Sequence, residues 1–145
     1  MPHLTITRLK LKSAPQIPAF LKANEPTFEQ VVRAEGFLAG KALLDFSGAA
    51  WTQTLWEKPE NMKAFYLSGE HRKLMGSLNE FACEASTRSV ELPDSRLPSW
   101  WAACKMLQQE ARYSAILREP TTMHQQQKTP TLWFPLLSRP LRPVK

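Results

Sequence analysis

The six residues from Trp51 to Trp56, WTQTLW, alternate so strictly that they settle one element of the fold. Successive side chains of a strand leave by opposite faces. Thr52, Thr54 and Trp56 therefore share one face, and Trp51, Gln53 and Leu55 the other. Just before them, Gly36 to Gly48 reads GFLAGKALLDFSG, an apolar run too short and too glycine-rich for a good helix. It ends in a Ser-Gly turn, so the two runs predict a β-hairpin.

The flanking segments extend the pattern. HLTITRLKLKS, from His3, places Leu4 and Ile6 in one phase and Leu9 and Leu11 in the other. This predicts a first strand whose register shifts at a bulge near Arg8. A helical pattern begins at Pro15 with Ile17, Phe20 and Leu21, and Thr27 to Gln30 fits a capping box ahead of Val31 and Val32. Pro26 is expected to divide this region into a short helix and a better one. Beyond the hairpin, Pro59 opens a helix carrying Met62, Phe65 and Tyr66. The helix pauses at Ser68-Gly69 and resumes with Leu74, Met75, Leu78 and Phe81, which predicts a bend with Ser68 capping the second half. Thr87 to Leu92 alternates again as a fourth strand. PSWWAACKMLQQEARY, from Pro98, is a further amphipathic helix.

Strand, helix, strand, strand, helix, strand is the split β-α-β, ferredoxin-like order. The expected class is α+β, with a four-stranded antiparallel sheet in one domain spanning 1–112 and an appended helix over 98–112. The segment 113–145 is rich in Pro, Gln and basic residues and is expected to be extended or disordered. Within it, Thr131 to Leu137 (TLWFPLL) is apolar enough to dock on its own or a neighbouring subunit.

The charge of +6 raises the possibility of nucleic-acid binding. From Ser114 onward, however, five basic residues face the single acid Glu119, so most of the excess belongs to the tail and nucleic acid is not the expected partner. No apolar run approaches the roughly 20 residues of a membrane span. Cys83 and Cys104 are too few and too far apart for a disulfide scaffold or a CxxC motif, which points to reduced thiols and a cytoplasmic location. His3, His71 and His124 are scattered without metal-ligand spacing, so no metal site is expected. There is neither a G-x-S-x-G elbow nor a phosphate-binding glycine loop.

The stretch W-T-Q-T-L-W-x5-M-x2-F-Y-x-S-G-x-H, Trp51 to His71, resembles the strand-helix signature of spheroidene monooxygenase and related small proteins. These belong to the superfamily of antibiotic-biosynthesis-monooxygenase-like dimeric α/β barrels. The resemblance covers Pro2 to about Leu92. It implies protomers that pair sheet against sheet as a homodimer, each with a pocket between sheet and helices for a hydrophobic or aromatic small molecule. It implies monooxygenase chemistry with either no cofactor or haem. The haem-degrading branch places its ligand histidine further along the second helix, where Leu74 and Met75 stand here, and this departure argues against that branch.

His71 precedes Leu74, Met75 and Leu78 by three, four and seven residues, so its ring is expected to face the sheet with them. There it would serve as a general acid/base or an axial haem ligand. The plainer alternative is a histidine that holds the bent helix through a hydrogen bond. Trp56, Thr52, Thr54, Tyr66 and Met75 are the expected pocket-lining residues, although each is also an ordinary core or strand residue. Arg8 either points inward to an anionic group or marks an exposed edge. A non-catalytic ligand-binding or protein-interaction module on the same fold is the second functional expectation.

Overall fold

The structure, a computed structural model, describes residues 1–144. A six-stranded antiparallel sheet runs in the order β5-β4-β1-β3-β2-β6. Its strands are β1 (His3–Leu11), β2 (Phe37–Asp45), β3 (Ala49–Trp56), β4 (Ala82–Glu91), β5 (Arg112–Tyr113) and β6 (Pro135–Leu141). The helices are α1 (Ile17–Val32), α2 (Pro59–Tyr66), α3 (Gly69–Gly76), α4 (Leu78–Phe81), α5 (Trp100–Gln109) and α6 (Thr122–Gln125). The inner four strands form the expected ferredoxin-like core. The sheet has six strands rather than four because residues beyond 111 add one strand at each edge.

The hairpin β2-β3 turns through Asp45-Phe46-Ser47-Gly48, where Gly48 takes a φ of +85°, a left-handed conformation that glycine adopts without steric cost. Asp45 organises this turn. One carboxylate oxygen accepts from Ser47 N, Ser47 Oγ and Ala49 N, and the other from Trp51 Nε1 at 3.0 Å and Trp133 N. Burial alone would raise the Asp45 pKa, but these donors hold it below the ordinary carboxylate value.

Three local expectations are corrected. The β1 register shift lies between Lys10 and Leu11, where β1 meets β4, and Arg8 sits in regular pairing with Trp51 and Ser86. Pro26 does not divide α1, which is one helix of 16 residues. Pro26 and Lys22 both face solvent, so water can satisfy the carbonyl that proline leaves without a donor. Thr27 is consequently an interior helix residue, buried, with its hydroxyl unpartnered among the described residues, and it is not a cap.

The two sheet faces bury different layers. On one, Leu4, Ile6, Leu43, Trp51 and Leu55 pack under Ala103, Cys104 and Leu107 of α5. On the other, Phe37 and Trp56 pack with Val31 of α1 and with Met62 and Phe65 of α2. The first face also holds a buried ion pair: Arg8 donates to Glu84 at 2.6 Å and stacks over the Trp51 ring at 5.3 Å, and the Thr121 hydroxyl completes the Glu84 carboxylate. The sequence left Arg8 between an inward pair and an exposed edge, and it is the inward pair.

Residues 114–134 pass from β5 at one sheet edge to β6 at the other. His124 bonds the Ala85 carbonyl, Gln108 bonds the Thr129 carbonyl, and Leu132 enters the core beside α5. The sheet face on which a second copy was expected to pack is thus covered by α5 and Leu132 of the same chain. Of the TLWFPLL segment, Leu132 docks on its own subunit, whereas Trp133 and Phe134 stay exposed.

Candidate functional site

The bend expected at Ser68-Gly69 is present, and Gly69 adopts a φ of +60°. Its cap differs from the expected one. The Ser68 hydroxyl turns back to donate to the Ala64 carbonyl and caps nothing in α3. Gln30 of α1 does the capping: its Oε1 accepts from His71 N at 2.9 Å, while its Nε2 donates to the Ser68 and Phe65 carbonyls at 3.1 and 3.3 Å. One side chain therefore satisfies the end of α2 and the start of α3 together, groups that helix termini leave without partners. A Cβ on Gly69 would stand 3.1 Å from Gln30 Oε1, so glycine here serves both the left-handed turn and the clamp.

The clamp fixes where α3 presents His71. The imidazole packs against the Phe65 and Tyr66 rings, with centroids 4.8 and 4.7 Å away, and those two rings are 5.8 Å from each other. Its Nδ1 is buried and makes no hydrogen bond among the described residues. Burial pushes the His71 pKa below its ordinary value, with the Tyr66 carbonyl pulling weakly the other way, so the ring is neutral at pH 7. Burial likewise raises the Tyr66 phenol, an effect that the Thr5 and Thr7 hydroxyls partly offset.

His71 borders a cavity of about 430 Å³ between the sheet and α1 to α4. Its floor comes from the sheet face carrying Thr7, Leu9, Ala50, Thr52, Thr54 and Thr87, and its roof from Phe20, Phe28 and Val31 of α1 and from Leu74 and Met75 of α3. Thr52, Thr54, Tyr66, His71 and Met75 are brought together around one space. Trp56 is not: it is fully buried behind the cavity, with its ring 5.4 Å from Phe65 and 5.5 Å from Phe37. Sequence alternation puts it on the correct face, but its place at the strand end carries it past the cavity into the core. Gln30 and Arg112 were missed. A glutamine on an amphipathic helix reads as surface, and a two-residue edge strand leaves no periodicity to detect.

The lining contains no Asp or Glu, one histidine and one permanently charged group, Arg112. Haem carries two propionates and needs an imidazole edge free to face the iron. With a single cation, Arg112, for two propionates and the imidazole packed against the Phe65 and Tyr66 rings, these residues do not fit it. What the set offers is an apolar chamber with a neutral imidazole, a phenol and several hydroxyls. Such a site can bind a flat apolar molecule and move a proton at its edge.

No family model matches the chain, and no curated protein matches it. Solved structures do. A conserved protein from Methanosarcina mazei superposes with a TM-score of 0.58 at 10% identity, over 63% of this chain and 92% of its own. SnoaB, a cofactor-independent oxygenase from Streptomyces nogalater, gives 0.55 at 11% identity, over 65% and 95%. A candidate antibiotic biosynthesis monooxygenase from Nitrosomonas europaea gives 0.54 at 15% identity, over 61% and 86%. The chain has the ferredoxin-like α+β fold of antibiotic-biosynthesis-monooxygenase-like proteins. The matched portion of about two thirds leaves room for the C-terminal additions described above.

Proposed function

We propose that this protein is a cofactor-independent, monooxygenase-like enzyme acting on a hydrophobic or aromatic small molecule held in the cavity beside His71. The observation that carries the reading is a half-buried, neutral imidazole at the wall of an apolar chamber, packed against the Phe65 and Tyr66 rings. A neutral histidine there takes a proton from an acidified C–H of the substrate, leaving a carbanion delocalised into its aromatic or carbonyl neighbours. Dioxygen adds to that carbon as a hydroperoxide. Loss of water, with the proton returned by His71, leaves a carbonyl, so a CH2 and O2 become C=O and H2O. Tyr66, Thr52 and Thr54 hydrogen-bond the substrate oxygens, and Met75 closes the roof.

Oxygen uptake with an anthrone probe tests this. His71→Ala should return the rate to the uncatalysed level with an unchanged far-UV circular dichroism spectrum, and full retention of turnover refutes the assigned role. The alternative is a non-catalytic binding module on the same fold, favoured by the lack of any Asp or Glu in the chamber lining. It shares the binding but predicts no oxygen uptake.

The homodimer belongs to this reading with its contact relocated. Phe46, Trp133, Phe134 and Leu137 are all exposed along the β2–β6 edge and form the apolar strip left for a second copy. The two unbridged cysteines support a reducing, cytoplasmic location. Among the described residues, no helix is long and apolar enough to cross a membrane.

A further inference from the structure

Strand register, rather than any one residue, gives the cavity floor a direction. Thr7 of β1 lies directly opposite Thr52 of β3 on one side and Thr87 of β4 on the other, and Thr87 lies opposite Arg112 of β5. Directly paired residues of antiparallel strands share a face. Arg112, Thr87, Thr7 and Thr52 thus form one row across the floor, and the Thr7 and Thr87 hydroxyls approach to 3.4 Å. The row runs from the sheet interior to its β5 edge, where it ends in a guanidinium.

Charge reinforces that direction. Arg112 is exposed, has no salt-bridge partner among the described residues, and is the only permanently charged residue of an otherwise acid-free lining. At the opposite end of the same row, across Ala42 of β2, stands Arg139 of β6, already paired with Glu25 at 2.6 Å. The row is therefore polarised: hydroxyls in the middle, a satisfied arginine beyond the cavity at one end and an available one on the cavity lining at the other. An arginine fork suits a carboxylate, which accepts two parallel N–H bonds, better than it suits a neutral carbonyl.

We propose that the cavity takes an amphiphilic carboxylate: a flat apolar body under α1 and α3, oxygen substituents along Thr52, Thr7 and Thr87, and the carboxylate at Arg112. The proposal rests on the ligand-pocket reading above and adds the ligand's charge and its orientation.

Calorimetric titration of the whole chain with anthracene-9-carboxylate and with its neutral primary amide tests it. The carboxylate should bind on the order of tenfold more tightly than the amide, as charge-assisted bonds exceed neutral ones. The preference should shrink between 20 and 300 mM salt because Arg112 is exposed. Arg112→Gln should remove it without weakening the amide, Arg112→Lys should restore part of it, and Arg139→Gln should leave it intact. Equal affinities for acid and amide in the unmodified protein overturn the proposal and leave the pocket reading standing. Binding of neither probe defeats both.

Discussion

Replacing Gln30 by Met keeps the length and volume of the side chain and removes its three hydrogen bonds, to His71 N, Ser68 O and Phe65 O. Each such bond is worth about 0.5–1.5 kcal/mol net. The half-buried bond to His71 N at 2.9 Å should stand at the upper end, the 3.1 and 3.3 Å bonds at the lower, giving about 2.5 kcal/mol in total. For a chain of this length that loss corresponds to roughly 5–10 °C in Tm. Urea unfolding followed by tryptophan fluorescence measures it directly. A second substitution sharpens the test. Gly69→Ala places a methyl where Gly69 has a φ of +60° and where Gln30 lies 3.1 Å away. It should cost about 1–2 kcal/mol for the left-handed backbone alone, plus whatever displacing the clamp costs. In the Gln30→Met background the clamp is already gone, so the two losses should sum to more than the double mutant shows. Strict additivity, or a Gln30→Met loss below about 0.5 kcal/mol, refutes the view that Gln30 holds the bend.

Other outcomes follow from the same structure. Glu84→Ala leaves the buried Arg8 guanidinium without its partner and should cost about 3–5 kcal/mol in equilibrium unfolding; a loss under 1 kcal/mol means that Arg8 reaches water. His71 has a depressed pKa in the folded chain, so the unfolded chain takes up its proton first and stability should fall as pH drops below the ordinary histidine value. Asp45 is also depressed, so its contribution is present above the ordinary carboxylate range and is lost as pH falls further, through its folded pKa. Denaturation midpoints measured from pH 8 to 3 should show the first step vanish in His71→Phe and the second in Asp45→Asn, and a profile unchanged by either contradicts the assignment. Light scattering should report two copies for the unmodified chain and one for Phe134→Ser with Trp133→Ser, whereas a dimer indifferent to both changes places the contact elsewhere.

The inner sheet was legible because Trp51–Trp56 and His3–Leu11 announce their faces by alternation. The bend at Gly69 was legible because glycine interrupts an otherwise continuous apolar period. The edge strands were not. Every residue of β6 from Pro135 to Pro140 is exposed, so no buried face marks it, and its prolines argue against a strand until β2 is there to pair with it. The covering of the second face was hidden for a different reason. The amphipathic pattern of α5 says that it buries one side, not against which layer, and only the packing of Cys104 and Leu107 on Leu4 and Ile6 decides that. Arg8 illustrates the same limit, since its partner Glu84 lies 76 residues away and no local pattern could identify it.

That closing of the sheet has a consequence for how the molecule is made. The strand pairs of the inner sheet can form once residue 91 is available, yet at that stage one apolar face is bare and both edges present unpaired backbone groups. α5 and Leu132 cover that face, and β5 and β6 pair the two edges. The pairing of β2 with β6 joins Gly40 to Leu141, a loop closure of very long sequence separation that comes late and slowly. A chain truncated before β6 should therefore leave the β2 edge unpaired, and its greater tendency to aggregate is the expected outcome.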